Sequence, residues 1–167
     1  MLYALFSWVI FVKIFFISVS LLFSSVLFAE TDSTIVGFVT QVYDGDTATV
    51  VTCDGTIHKI RLARIDAPEL KQVHGKESKW CLSEKIANKR VTVHVFNKDL
   101  FQREVGEIFL DEKSINTQLV QEGCAWVYET YNKDLSLIDL QARAKILKKG
   151  LWNDPQPIAP WDYRKYR

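Results

Sequence analysis

The sequence predicts an α+β, mainly β, domain: a small five-stranded barrel with about three helices, spanning residues 30–167 behind an N-terminal hydrophobic leader at residues 1–29. Three observations lead there. Runs rich in β-branched and aromatic residues recur at short intervals from Ile35, and two Asp-Gly pairs separate the first three of them. Three later stretches repeat apolar residues at helical spacing or end on helix-stop residues. The charged residues avoid the first 29 positions almost completely, which marks a boundary between a membrane-directed segment and a folding domain.

The elements follow in order. Ile35–Tyr43 is the first strand; Asp44-Gly45 turns the chain into the β-branched run Thr47–Thr52; Asp54-Gly55 turns it again into Thr56–Ala63. In that third run Ile60 and Leu62 point to one face, and Lys59 and Arg61 to the other. Lys76–Asn88 reads as a helix with Leu82 and Ile86 on one side. Val91, Val93 and Val95 alternate with Thr92 and His94, a half-buried strand, and Glu104–Leu110 is its partner. Ser114–Gln121 is a short helix stopped by Gly123. Leu137, Leu140, Ala144 and Leu147 mark a last helix that ends at Gly150, and the proline- and aromatic-rich tail from Pro155 to Arg167 is expected to lie extended against the body. Five strands with short turns, a helix after the third and helices at the end suggest the partly open OB barrel.

The leader holds 23 apolar residues, no acid and one charge, Lys13. An uncharged, mainly apolar stretch from Ile14 to Phe28, with the small Ala29 before Glu30, fits a secretory signal peptide. Leu27 is large for the position three before the cut, and Met1–Val12 is itself apolar, so an uncleaved membrane anchor of more than the roughly 20 residues needed to span a bilayer is the other reading. Either way the expected location is outside the cytoplasm: periplasmic or secreted, with membrane contact only through this segment. The remaining 138 residues carry 20 basic and 20 acidic side chains. That balance argues against a protein that coats nucleic acid electrostatically. Cys53, Cys81 and Cys124 show no C-x-x-C pair. One disulfide with a spare thiol is an option in an oxidising compartment, but three inert, buried cysteines are the simpler expectation, and a zinc site is not expected.

Four acids, Asp44, Asp46, Asp66 and Glu69, fall where strands end, and Arg61 and Arg103 lie on or beside strands. Asp44-Gly45-Asp46 alone reads as turn chemistry, and an EF-hand fails because Ala48 and Val50 stand where that loop needs oxygen ligands and glycine. Together they form an inventory for phosphodiester hydrolysis. That reaction needs carboxylate oxygens from several segments for a hard cation, guanidinium groups for phosphate oxygens, and a base for water.

The ordered motifs resemble the thermonucleases, the staphylococcal nuclease-like family, of the exported bacterial type. Val42-Tyr43-Asp44-Gly45-Asp46-Thr47 and Ile60-Arg61-Leu62-Ala63-Arg64-Ile65-Asp66-Ala67-Pro68-Glu69 are similar to its two-part signature. Asp99-Leu100-Phe101-Gln102-Arg103, Asn116 with Leu119-Val120, Gly123-Cys124-Ala125-Trp126-Val127-Tyr128, Gly150-Leu151-Trp152 and Pro160-Trp161 follow in the family's order. The resemblance implies that Asp46 and Asp66 bind Ca²⁺ through carboxylates and Ala67 through its carbonyl. It implies that Glu69 is the general base, that Arg61 and Arg103 grip the phosphate, and that Asp44 shapes the site. It further implies endonucleolytic cleavage of DNA or RNA at the 5′ P–O bond, leaving 3′-phosphates. A monomer is expected, with no obligatory protein partner evident in the sequence. Phe101 and Tyr131 are candidate substrate-binding rings, since an aromatic face stacks on any base. Two departures stand out: Gln102 replaces the glycine before Arg103, which matters if the backbone there needs positive φ, and Phe101 lacks a phenolic hydroxyl. The alternative function is a non-catalytic OB module that binds nucleic acid or protein. Such copies are expected to have lost part of the Asp, Glu and Arg set, which is complete here.

Overall fold

A computed structural model describes residues 33–131 and 134–166, excepting the Tyr131 side chain. The leader assigned to residues 1–29 lies outside the described residues, so its cleavage or anchoring is not a structural matter here. Five long strands build the body: β1 (Ser33–Val42), β2 (Thr47–Thr52), β3 (Ile57–Leu62), β5 (Arg90–Lys98) and β6 (Glu104–Leu110). Three two-residue strands, β4 (Ile65–Asp66), β7 (Lys113–Ser114) and β8 (Trp126–Val127), are added at the rims. The helices are α1 (Gly75–Ile86), α2 (Ile115–Gln121), α3 (Leu135–Ile146) and the single turn α4 (Pro160–Tyr163).

The sheet order β3-β2-β1-β5-β6 closes on itself through a parallel pairing of β3 with β6, which sets Ile60 opposite Glu104 and Arg61 opposite Val105. The expected barrel is therefore present, with no open edge between its first and last long strands. Alternation fills it: Ile60, Leu62, Val91, Val93, Val95 and Ile108 are buried inward, while His94 and Lys59 face out. Leu82 and Ile86 from α1, Leu119 from α2 and Leu137 from α3 pack against the same core. Buried Asn116 pins the seam. Its Oδ1 accepts the Ile108 N–H (3.1 Å) and its Nδ2 donates to the carbonyls of Ala63 (3.0 Å) and Gly106 (3.3 Å), so the α2 start, the β3 exit and β6 are held together. Caps agree with sequence chemistry: Ser114 Oγ accepts from Thr117 N before α2, and Asp134 accepts from Ser136 N before α3.

Two expectations are corrected. The tail is not extended throughout: Gly150–Asn153 and Arg164–Tyr166 form 3₁₀ turns around α4. Pro160 opens α4 at the position where its missing N–H costs nothing. Cys81 and Cys124 are joined as a disulfide between α1 and the approach to β8, and only Cys53, exposed in the β2–β3 turn, is free among the described residues. Spacing along the chain could not show this pairing, because a separation of 43 residues is bridged only once α1 has packed on the barrel.

Candidate functional site

The site forms where β1 gives way to β2 and where β3 leaves the barrel. In the first turn Asp44 Oδ1 accepts the Asp46 N–H at 3.0 Å, so Asp44 shapes the loop that presents Asp46. Gly45 is required by close approach: a Cβ there would lie 1.8 Å from Ser78 Oγ and 2.6 Å from the Ala67 Cβ. The absence of a side chain lets the turn sit on α1 and on the β4 exit, which buries Asp46. At the second segment, Arg64 takes a left-handed φ of 65° between β3 and β4. Asp66 then pairs through its backbone with Trp126 of β8 and is 1% exposed.

Arg61 connects the two acids. Its Nη2 lies 3.2 Å from Asp46 Oδ2 and 3.0 Å from Asp66 Oδ1, while Nη1 donates to the carbonyls of Leu62 (2.7 Å) and Ile65 (3.0 Å). The Ala67 N–H donates to Asp46 Oδ2 at 2.7 Å, which brings the Ala67 peptide to the same carboxylate. Burial pushes the Asp46 carboxyl up to about 7. Arg61 and the Ala67 amide pull it down, and the neighbouring charges of Asp44 and Asp66 add to the rise. Crowded, desolvated carboxylates of this kind are the donor set that a hard dication compensates, so the residues present fit a Ca²⁺-type ion. A second close group, Cys81, Glu122 and Cys124, offers no thiolate, because its two sulfurs are bonded to each other.

Glu69 stands on the loop between β4 and α1. Its N–H donates to Gln72 Oε1 (3.1 Å), and a Cβ on Gly75 would lie 2.0 Å from the Glu69 carbonyl, so this loop also depends on a bare glycine. A residue that the sequence did not single out completes the cluster. Arg164, just after α4, places Nη2 2.6 Å and Nη1 3.2 Å from the two oxygens of Asp66, and the same Nη1 lies 2.9 Å from Glu69 Oε1. The only hint in the sequence was its position three residues after Trp161, in a tail read for its prolines and tryptophans alone.

Arg103 stands apart from this network. Asp99 holds its Nε at 2.7 Å in the loop between β5 and β6. Although burial disfavours its charge, Asp99 keeps a carboxyl below the usual range because the Arg103 backbone and side chain and the Phe101 N–H all donate to it. Gln102 has a φ of 61°, so the glycine position does need left-handed backbone, and Gln102 tolerates it. Phe101 is 80% exposed at the loop tip, with the Arg103 guanidinium 5.6 Å from its ring. That excludes barrel-edge packing for this side chain. The β3–β6 pairing sets Arg103 next to the strand that carries Arg61. Tyr131 ends the 3₁₀ turn Glu129–Tyr131; its side chain lies outside the described residues.

A closed OB-type barrel with two buried aspartates sharing an arginine beside the strand exits has the donor set that phosphodiester hydrolysis calls for. Residues 59–154 match the family described as staphylococcal nuclease homologue, and the chain belongs to that family. It is a nuclease, a hydrolase that takes nucleic acid as substrate. An endonuclease of Escherichia coli O157:H7, otherwise uncharacterised, is 42% identical over 129 residues, 77% of this chain and 84% of that protein. A similarly described endonuclease of Haemophilus influenzae is 37% identical over 76% of this chain and 71% of its own length. A probable staphylococcal-like nuclease of rice is 38% identical over 65% of this chain but only 29% of its own length. Asp46 precedes the family match and Arg164 follows it.

Proposed function

We propose that the protein is an exported, Ca²⁺-dependent endonuclease that hydrolyses DNA, RNA or both at the 5′ P–O bond and leaves 3′-phosphates. The observation that carries the reading is the sharing of one Arg61 nitrogen by Asp46 and Asp66, which converges two buried carboxylates from the β1–β2 turn and from β4. Asp46, Asp66 and the Ala67 carbonyl are the groups that would hold the ion. When bound, Ca²⁺ supplies Lewis acidity toward a phosphate oxygen and orients water. Glu69 accepts the proton of the attacking water. Arg61 is fixed by two carbonyls through Nη1 and by two carboxylates through Nη2, so its Nε–H is the donor left to meet charge developing on the phosphate without reorganisation. Arg103 provides the second guanidinium, and the exposed Phe101 ring offers a sequence-tolerant stacking face, with Tyr131 as a second candidate ring. Export rests on the composition of residues 1–29.

The test is incubation of the purified 30–167 domain with double-stranded DNA, single-stranded DNA and RNA, in calcium or in chelator. End-group analysis of the fragments follows. Cleavage in calcium only, with 3′-phosphate ends, is the expected result. Binding without cleavage would instead identify a non-catalytic nucleic-acid module.

A further inference from the structure

Arg164 forms a contact that a surface ion pair does not explain. Exposed pairs contribute little because water already solvates both partners, but the Asp66 side chain is only 2% exposed. Its two oxygens receive a two-pronged guanidinium, the geometry in which arginine and carboxylate bind most strongly. The second partner of Nη1 is Glu69. One group therefore spans two like-charged carboxylates on either side of Ala67-Pro68, and the short loop between them is held against their mutual repulsion.

The tail that brings Arg164 there is anchored independently. Trp161 stacks on Tyr128 with ring centres 5.5 Å apart and meets Trp126 edge-on at 5.6 Å. Ala159 and Pro160 are buried. Gln72, itself 8% exposed, accepts the Glu69 N–H through Oε1 and donates to the Ile158 carbonyl at 2.7 Å through Nε2. The Glu69 loop and the tail thus touch at two places: Gln72 on the loop side and Arg164 on the tail side.

We propose that Arg164 is a further positioning residue of the nuclease site: by bridging Asp66 and Glu69 it sets the place of the base relative to the cation-holding carboxylate, and it competes with a dication for Asp66. This rests on the nuclease reading of Asp66 and Glu69. Arg164 Nη2 lies on Asp66 Oδ2 while Oδ1 already accepts from Arg61, so an ion taken by Asp66 must share or displace that guanidinium. Removing Arg164 therefore has opposite effects on binding and on turnover, which loss of folding does not mimic.

The experiment compares wild type with Arg164→Gln and Arg164→Lys. Calcium chloride is titrated calorimetrically without substrate, and kcat and KM are measured on DNA. In Arg164→Gln, calcium binding is expected to tighten about threefold or more, and kcat to fall about tenfold or more with KM nearly unchanged. Arg164→Lys keeps the charge but loses the fork, so it is expected to share the kcat loss. A near-UV circular dichroism signal like that of wild type reports that Trp126 is still packed edge-on against both Trp152 and Trp161. A kcat within about twofold of wild type in both variants overturns the proposal, as does unchanged or weakened calcium binding with the tryptophan signal retained. If wild type cleaves no nucleic acid in calcium, the nuclease reading fails, and the calorimetry still decides whether Arg164 competes at Asp66.

Discussion

Arg61 Nη2 lies 3.2 Å from Asp46 Oδ2, joining a β3 side chain to the β1–β2 turn at the point where the β2–β3 register sets Arg61 opposite Thr47. The same guanidinium donates to Leu62 and Ile65 carbonyls and to Asp66. A lysine has one nitrogen and cannot satisfy both carbonyls and both acids. Arg61→Lys is expected to lower turnover on DNA by about 10²–10³-fold, measured as kcat under saturating calcium. Wild-type turnover would remove Arg61 from the phosphate clamp.

The buried Asp46 carboxyl makes a pH prediction. In the unfolded chain it releases its proton near the ordinary 3.8, and in the fold near 7. Between those values the folded state binds more protons, so this group's contribution to stability falls as pH rises through the window. In chelator, the Tm of Asp46→Asn relative to wild type is expected to climb from pH 4 to pH 8. A pH-independent difference would mean that burial does not govern this carboxyl. If Asp46 holds calcium as proposed, the ion displaces the same proton, so its affinity is expected to weaken below pH 7, by about tenfold per pH unit while one proton competes. Asp46→Ala should abolish that binding in a calorimetric titration.

Gln102 adopts a left-handed φ of 61° in the loop that aims Arg103. For a side chain with a Cβ this conformation costs about 1 kcal/mol, partly offset by the larger unfolded-state entropy of glycine. Gln102→Gly is expected to raise stability by about 0.5 kcal/mol in urea unfolding while the Asp99–Arg103 pair is kept. A loss of stability would show that the Gln102 side chain contributes a favourable contact.

The Cys81–Cys124 bridge closes a long loop between α1 and the segment that leads into β8, the partner of Asp66. Its loss removes a constraint on the unfolded chain of about 2–4 kcal/mol. A Cys81→Ser, Cys124→Ser protein is expected to unfold at a clearly lower urea midpoint than wild type. Reductant should lower the wild-type midpoint and leave the double variant unmoved. Equal midpoints would make the bridge structurally neutral.

The strands, the three longer helices and the chemical inventory were legible because each has a local signal. Alternation in Val91–Val95 marks a strand, Asp-Gly marks a turn, and Leu82 with Ile86 marks a helix face. Asp46, Arg61, Asp66 and Glu69 were named from residue type and order, and the fold brings those four to one place. What the sequence could not carry is contact between distant segments. Two-residue strands such as β4 and β8 have no periodicity to read, and their pairing places Asp66. The helical turns of the tail, the cystine, Gln72 and Arg164 likewise take their meaning from neighbours up to 98 positions away. The chain alone thus determined which groups are present and which barrel carries them. Only tertiary packing decided that Asp46 is desolvated and that Arg164 lies on Asp66, since burial and a guanidinium fork reaching across 98 positions are properties of surroundings.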